Sequence, residues 1–260
     1  MKVYARTRTI HDEHAGTVPY NVNIANAIQG FHEMGFEIHF YNTVNEIYDL
    51  YELGDIVLDG IDQVEYCLAK FDIHPKNIDY PEILQPYMGR KIWTDTINHI
   101  NTHPELWGCF VKPIKDKAFV GRVINSPKDL VGCGKHDENY EVLCTDAVEF
   151  IFECRGFIYY DELIDLRPYK GDWKNMKLMD TDLIEKAIKE FATWDERPMA
   201  CSLDWGVTKD GKTVLVEMNG AYALGCYGLY SLQYAKMISA CISQLSGVPD
   251  ECNFGPIKNI

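Results

Sequence analysis

The sequence predicts a mixed α/β (α+β) protein in which a small N-terminal α/β unit precedes a strand-rich part. In the first hundred residues, short apolar strand patterns alternate with helical patterns, as in units built on a parallel sheet. From Cys109 onward, several strand patterns follow one another closely, and two of them surround an Asp-Gly turn. The length of 260 residues allows one large domain or two small ones.

The elements of the N-terminal unit follow from their periodicity. Apolar residues at helical spacing predict a helix that ends at Gly35, with one face formed by Ile24, Ala27, Ile28 and Phe31. Short apolar runs predict strands at 2–6, 36–41 and 55–58, and a further helix is expected at 62–71. Residues 74–89 contain three prolines, which indicates a linking segment.

The second part begins with strand patterns at 109–112, 119–124, 140–145, 148–155 and 157–160. A helix is predicted over 182–194, with Asp182 and Glu185 at capping-box spacing. Strands at 200–207 and 212–218 precede a last helix at 230–245, which Gly247 ends.

The two strands around the Asp-Gly turn predict a hairpin with a definite register. If Asp210 and Gly211 form a two-residue turn, one face of the hairpin is apolar. That face contains three cross-strand pairs: Leu203 with Met218, Trp205 with Val216, and Val207 with Val214. A slip of one residue would scatter these side chains over both faces, so the pattern selects this register.

The same register places two carboxylates opposite each other. Asp204 faces Glu217, and Asn219 lies on the same side opposite Ser202. Facing carboxylates repel, and two carboxylates with an amide oxygen suit Mg²⁺. A polar face exposed to solvent, where the two charges splay apart, is the alternative.

Three basic residues complete the candidate site. Lys112 ends an apolar strand, where an ammonium can bind phosphate or simply lie in solvent. Arg155 shares a strand face with Glu153, and Arg167 follows twelve residues later. Two arginines near an acidic site suit bidentate binding of phosphate or carboxylate, with surface ion pairs as the alternative.

Composition excludes several classes of protein. A net charge of −14 argues against bulk nucleic-acid binding, although a local basic groove is not excluded. No apolar run is long enough for a membrane span or a signal peptide. Nine scattered cysteines without a C-x-x-C pair predict buried thiols in the cytoplasm rather than disulfides or a thiolate zinc site.

Taken together, these motifs resemble the ATP-grasp superfamily over residues 106–225. The segments that match are 110–113 (FVKP), 153–155 (ECR), 203–207 (LDWGV) and 215–219 (LVEMN). Lys112 with Arg155 and Arg167 is similar to a phage- and bacteria-associated clade marked by two arginines and a lysine. The resemblance implies an N-terminal α/β domain at 1–105 and an ATP-grasp domain at 106–260, with lobes at 106–145 and 146–260.

The resemblance also implies a role for each candidate residue. ATP would lie between the two lobes, with Lys112 at its α- and β-phosphates and Asp204, Glu217 and Asn219 holding Mg²⁺. Residues 141–146 would connect the lobes and contact adenine through the backbone, which makes nucleotide contacts of Val142, Leu143, Cys144 and Asp146. Arg155 and Arg167 would hold the transferred phosphate or the substrate carboxylate.

The activity that this resemblance implies is an ATP- and Mg²⁺-dependent ligase. Such an enzyme activates a small-molecule or peptide carboxylate as an acylphosphate, which an amine or another nucleophile then attacks. A phosphotransferase or nucleic-acid-end-modifying enzyme on the same fold, and an ATP-binding module without turnover, remain alternatives. Apolar helix faces do not distinguish an interface from a core, so the sequence predicts no oligomeric state.

Overall fold

The computed structural model of the chain describes residues 1–12, 15–114, 119–133 and 138–254. Within these residues the strands form three sheets of four strands each. We call them the N-terminal sheet (β1–β4), the middle sheet (β5 to β8) and the C-terminal sheet (β9–β12). The mixed α/β class predicted from the sequence is confirmed.

The N-terminal sheet is mainly parallel. Its strands are β1 (Val3–Asp12), β2 (Ala15–Pro19), β3 (Ile38–Tyr41) and β4 (Ile56–Leu58). Strand β1 pairs in parallel with β3 and β4, and antiparallel with β2. The helices of this unit are α1 (Val22–Glu33), α2 (Asn45–Tyr48) and α3 (Ile61–Ala69).

Helix α1 begins where the Asn21 side chain accepts a hydrogen bond from the Ile24 amide, which satisfies one of the free donors of the first turn. The predicted face is correct, because Ile24, Ala27 and Phe31 are all buried. Gly30 faces the start of the last helix, α6 (Ser231–Ser246). A Cβ at this glycine would lie 2.1 Å from the Ser231 carbonyl oxygen, so α6 packs directly into the N-terminal core.

The middle sheet has the strand order β5-β8-β6-β7 and is antiparallel. Its strands are β5 (Ile92–Thr96), β6 (Cys109–Pro113), β7 (Arg122–Ile124) and β8 (Glu141–Asp146). Helix α4 (Ile97–Thr102) packs on its apolar face. The predicted domain boundary at 105/106 does not coincide with the division into sheets. Strand β5 lies before this boundary but belongs to the middle sheet, and α6 lies after it but packs into the N-terminal core.

The C-terminal sheet has the strand order β10-β9-β11-β12. Its strands are β9 (Phe150–Tyr159), β10 (Glu162–Gly171), β11 (Ala200–Thr208) and β12 (Thr213–Gly220). Helix α5 (Thr181–Phe191) covers one face of this sheet with an apolar core around Trp205. The predicted capping box is wrong, since Asp180 caps this helix by accepting from the Leu183 amide.

The hairpin β11–β12 keeps the predicted register near its open end and departs from it near the turn. Leu203 pairs with Met218, but Trp205 pairs with Leu215 and Val207 with Thr213. The loop has three residues, with Gly211 at φ +79° and the Thr208 amide donating to the Lys212 carbonyl. A bulge at residue 216 then restores the predicted register.

Arg90 stabilises this bulge from outside the sheet. Its guanidinium donates to the Leu215 carbonyl at 2.7 Å and to the Val216 carbonyl at 2.6 Å. These carbonyls lie on an edge strand, where they would otherwise have no strand partner. Because of the bulge, Leu215 rather than Val216 enters the core under the sheet.

The nine cysteines are all buried and none is in a disulfide, which confirms their prediction as small buried side chains. Among the described residues, no helix is both long enough and apolar enough to cross a membrane.

Candidate active site

Four of the predicted site residues form one row across the C-terminal sheet. Arg167 pairs with Arg155, Arg155 with Asp204, and Asp204 with Glu217, each directly across neighbouring strands. Directly opposed residues lie on the same face of a sheet. This charge row therefore has two cations on the β10 side and two carboxylates on the β12 side.

The centre of the charge row is a buried ion pair. Arg155 Nε donates to Asp204 Oδ1 at 2.8 Å and the Nη2 atom donates to Oδ2 at 2.7 Å. Their side chains are 9% and 1% exposed, so both charges are largely removed from water. Burial raises the pKa of Asp204, and the Arg155 guanidinium limits the rise. Bidentate geometry of this kind fixes the plane of the guanidinium.

Two tyrosines cover the Arg155 guanidinium. The ring of Tyr227 lies 5.0 Å from the Arg155 Cζ atom and stacks on Tyr169 at 5.1 Å between ring centroids. The Tyr169 hydroxyl donates to Glu153, a buried carboxylate that also pairs with Lys170. Tyr227 has a φ of +41°, which is unusual for a residue with a side chain. The loop after β12 thus accepts local strain where it covers the arginine.

Lys112 approaches the charge row from the middle sheet. Its Nζ atom lies 2.6 Å from Asp79 Oδ2 and 3.7 Å from Glu217 Oε2. The Tyr80 ring centroid is 4.7 Å from the same atom. Burial acts to lower the pKa of Lys112, but Asp79, Tyr80 and Glu217 act to raise it and outweigh burial. The pKa is therefore above its ordinary value, and the ammonium stays charged. A cation from one lobe therefore meets carboxylates from the linking segment and from the other lobe.

Glu217 and Asn219 present oxygen donors beside Lys112. Glu217 Oε1 accepts from the Asn219 side-chain amide at 3.1 Å, and the Glu217 side chain is 35% exposed. Asp204 adds a carboxylate whose two oxygens already bind Arg155 and which retains further lone pairs.

The described residues contain no group of three or more His, Cys, Asp or Glu side chains arranged around a metal position. One or two carboxylates with an amide oxygen nevertheless suit Mg²⁺, which commonly keeps waters and takes phosphate oxygens as its other ligands. The donors present therefore fit Mg²⁺ bound together with a nucleotide rather than an all-protein cage.

Arg167 lies at the outer end of the charge row. Its Nε atom donates to Asp165 Oδ2 at 2.8 Å, and its side chain is 41% exposed. The structure thus brings Arg167 next to Arg155 but leaves it open to water, where it can bind an anionic ligand.

The predicted adenine segment is a central strand. Strand β8 pairs with β5 on one side and with β6 on the other, so backbone groups of 142–145 are directed to neighbouring strands. Val142 and Cys144 are fully buried in the core of the middle sheet. Residues 147–149, rather than 141–146, connect the two sheets. Asp146 lies at this junction and accepts a hydrogen bond from the Lys91 amide.

Leu143 points to the opposite face of the middle sheet from this core. It is in one row with Thr94 and Lys112. Together with Thr94 and Ile114 it borders a cavity of about 1000 Å³. Asp79, Tyr80 and other residues of the linking segment form another wall of this cavity.

Sequence reasoning missed Asp79, Tyr80, Tyr169 and Tyr227. The first two lie in the proline-rich linking segment, whose path over the protein no periodicity gives. The sequence offers one weak indication of Tyr227, because this residue stands between Gly225 and Gly228 in the segment that follows β12.

The middle and C-terminal sheets approach each other where Lys112 of one lies 3.7 Å from Glu217 of the other, an arrangement that fits the ATP-grasp class of folds. The chain belongs to the R2K clade family 2 of ATP-grasp domains, whose family model matches residues 87–237. The resemblance found in the sequence is thereby confirmed, and with it the assignment to an ATP-binding superfamily of ligases.

Solved structures of the same fold are similar at low sequence identity. N5-carboxyaminoimidazole synthetase from Staphylococcus aureus, complexed with ADP, has a TM-score of 0.52 and 11% identity, over 95% of this chain and 77% of that one. D-alanine–D-alanine ligase from Bacillus anthracis, complexed with ATP, has a TM-score of 0.51 and 14% identity, over 86% of this chain and 92% of that one. These likenesses concern the fold. No curated protein sequence matches the chain.

Proposed function

We propose that the protein is an ATP- and Mg²⁺-dependent ligase that activates a carboxylate as an acylphosphate for attack by an amine or another nucleophile. The observation that carries this proposal is the charge row, with Lys112 facing its acidic end from the other lobe. Cations thus lie on both sides of one cleft, and the oxygens proposed to bind metal lie on the side of the C-terminal sheet. Membership in an ATP-grasp family supports the same class of reaction.

Each residue has a role that suits its position. Lys112 binds the α- and β-phosphates of ATP, while Glu217, Asn219 and Asp204 hold Mg²⁺, which neutralises phosphate charge when bound. Arg155 and Arg167 hold the transferred phosphate or the substrate carboxylate. Leu143 and Asp146 contact the nucleotide from the middle sheet and the junction of the lobes.

The reaction proceeds in two steps. A carboxylate oxygen attacks the γ-phosphorus of ATP, the bond to the bridging oxygen breaks, and ADP leaves. The nucleophile then attacks the acyl carbon, and inorganic phosphate leaves with the electron pair of the C–O bond; the proton that an amine loses in this step is taken up by the departing phosphate. Catalysis of phosphoryl transfer depends mainly on positioning the reactants and on neutralising the negative charge of the phosphate oxygens. Lysine and arginine side chains supply both. Closure of the two lobes protects the acylphosphate from water.

The substrates are small-molecule or peptide carboxylates and amines. The net charge of −14 argues against nucleic acid as the main partner. Salt-dependent retention on an RNA column would instead favour the nucleic-acid-modifying alternative.

Thermal unfolding with ATP, with Mg²⁺ and with both tests the proposal. Ligand at 100 times its dissociation constant adds about 2.7 kcal/mol of apparent stability. We expect a shift that needs both ligands and that Glu217→Ala removes. Glu52→Ala is the matched control, because Glu52 is an exposed carboxylate paired with Lys2 in the N-terminal unit. The absence of any shift in the wild type would contradict the proposal.

A screen of acids and amines for ADP release then separates turnover from binding. Release that requires both an acid and a nucleophile supports the ligase. Nucleotide binding without release in any mixture points to an ATP-binding module without turnover.

A further inference from the structure

Asp79 is a partly buried carboxylate that the roles above do not use. It lies in the linking segment, before the residues that the family model matches. Its Oδ2 atom is 2.6 Å from the Lys112 ammonium, closer than Glu217 Oε2 at 3.7 Å. The group that holds Lys112 most closely is therefore a carboxylate from outside the residues that the family model matches.

The surroundings of Lys112 leave little space for a further anion. Asp79, Glu217 and the Tyr80 ring surround the ammonium, and the side chains of Lys112 and Asp79 are only 14% and 16% exposed. Two carboxylates and one ammonium already sum to a negative charge. Mg²⁺ held by Glu217 would offset the charge of that carboxylate, but a phosphate brought to the same place would still be repelled by Asp79 unless Asp79 moves away or is neutralised.

Of these two carboxylates, Asp79 is the one whose side chain has space to move away from Lys112. Glu217 is held by the Asn219 amide and forms part of the proposed metal set. Asp79 lines the cavity of about 1000 Å³, so there is space beside its carboxylate into which the side chain can rotate. Burial raises the pKa of Asp79, which is the sign of a carboxylate that gains hydration when it leaves.

The backbone of Asp79 is fixed while its side chain can turn. Its carbonyl accepts from the Met218 amide of β12, and its amide donates to the Asn77 side chain. Asn77 in turn donates to the carbonyl of Ile114, which directly follows β6 of the middle sheet. The linking segment is thus attached to both lobes, and the carboxylate can leave Lys112 without moving the chain.

We propose that Asp79 and a nucleotide phosphate compete for one place at the Lys112 ammonium, so that Asp79 sets the affinity of the site for nucleotide. This inference rests on the proposed function through the role of Lys112. When phosphate arrives, the carboxylate turns into the cavity, and when phosphate departs, it returns. Lys112 therefore has an anionic partner throughout the exchange. Because phosphate must displace Asp79, the free energy of nucleotide binding is less favourable than it would be without this carboxylate.

Calorimetric titration with Mg²⁺ and the non-hydrolysable ATP analogue AMP-PNP tests this competition. Asp79→Asn removes the competing charge, and we expect a dissociation constant about fivefold to tenfold lower than in the wild type. Asp79→Glu keeps the charge and should stay closer to the wild type than Asp79→Asn. Structural damage does not tighten binding, so the direction of the change identifies the mechanism.

Asp161→Asn is the matched control. Asp161 forms a bidentate pair with Arg197 at the turn between β9 and β10 and belongs neither to the charge row nor to the surroundings of Lys112, so its loss should leave the affinity within twofold. Asp79→Ala provides a second neutral variant if Asp79→Asn does not fold.

An unchanged or higher dissociation constant in the folded neutral variants would overturn the inference, because Asp79 would then support the bound nucleotide. Lys112→Met separates the two proposals. If the wild type binds AMP-PNP and Lys112→Met binds it equally well, the proposed role of Lys112 fails. If Lys112→Met loses affinity but Asp79→Asn gains none, only the competition fails.

Discussion

The site contains two ion pairs built in different ways. Arg155 and Asp204 are direct neighbours on adjacent strands, so the ladder of the C-terminal sheet sets their separation. Lys112 and Asp79 come from the middle sheet and the linking segment, and meet only because the lobes and the segment pack together. The first pair belongs to one rigid element, whereas the second depends on three parts of the chain.

The two pairs should therefore respond differently to mutation. The backbones of a pair inside one sheet cannot separate without breaking the ladder, and the charges of this pair are buried. The pair between elements borders the cavity, where the Asp79 carboxylate can reach water by rotating. We expect loss of a member of the first pair to lower stability strongly as well as to weaken ligand binding, and loss of a member of the second pair to affect mainly ligand binding.

The largest effect is expected for Arg155→Ala, which leaves the Asp204 carboxylate buried without its partner. Loss of one member of a buried pair costs about 3–5 kcal/mol in the free energy of unfolding, measurable by urea denaturation. Replacing both members, as Arg155→Met with Asp204→Leu, should recover most of this loss. Arg167→Ala is the control, since its half-exposed pair with Asp165 contributes about 1 kcal/mol or less. Equal losses in the two single variants would remove the distinction between buried and exposed pairs.

Lys112→Met should cost less stability, about 1–2 kcal/mol, because Asp79 can turn toward water. The shift in unfolding temperature with ATP and Mg²⁺ should disappear. Lys70→Met provides the comparison, since Lys70 donates to the carbonyls of Tyr48, Asp49 and Tyr51 away from the cleft. That variant should lose stability and keep its ligand shift. Retention of the shift in Lys112→Met would count against the assigned role.

Tyr227→Ala should cost about 1 kcal/mol in unfolding free energy, because the ring packs on Tyr169 and on the Arg155 guanidinium. Tyr227→Phe keeps both contacts and should stay near the wild type. Tyr227→Gly loses the ring but suits the positive φ, so it should be more stable than the alanine variant. An alanine variant more stable than the glycine variant would show that the backbone strain is unimportant.

The smallest effect concerns pH. Burial raises the pKa of Asp79 above its ordinary value of 3.8, so the folded protein binds this proton more tightly than the unfolded chain. The resulting stability is present below the unfolded pKa and is lost as pH rises through the folded pKa. The unfolding free energy of the wild type relative to Asp79→Asn should therefore fall over this interval. A difference that rises with pH would mean that pairing with Lys112 outweighs burial.

The hairpin shows what sequence patterns can establish. Alternation of apolar residues and an Asp-Gly turn place Asp204 opposite Glu217 and Asn219 opposite Ser202, as found in the structure. The bulge at Val216 was not predictable, because it depends on Arg90, which binds the displaced carbonyls from a distant part of the sequence.

Strand β10 was missed for a local reason. It contains Pro168, which lacks an amide donor and argues against a strand in sequence analysis. In the structure β10 is an edge strand, where a proline is tolerated. Its position places Arg167 beside Arg155, so the motif residues were recognised although the strand was not.

Asp79 could not have been found by these means. Its importance comes from the packing of the linking segment against two lobes, which no local periodicity records. The charge row follows from pairing within one sheet, while the contacts of Lys112 follow from tertiary packing.

The close approach of Gly30 to Ser231 also has a consequence for biosynthesis. The N-terminal sheet is translated before α6, but its core includes residues of α6 such as Tyr234, Met237 and Ile238. Contacts so distant in sequence slow folding. Until α6 has been synthesised, the apolar surface of the early strands that it covers in the folded protein stays exposed, so the nascent chain is prone to aggregate at this stage.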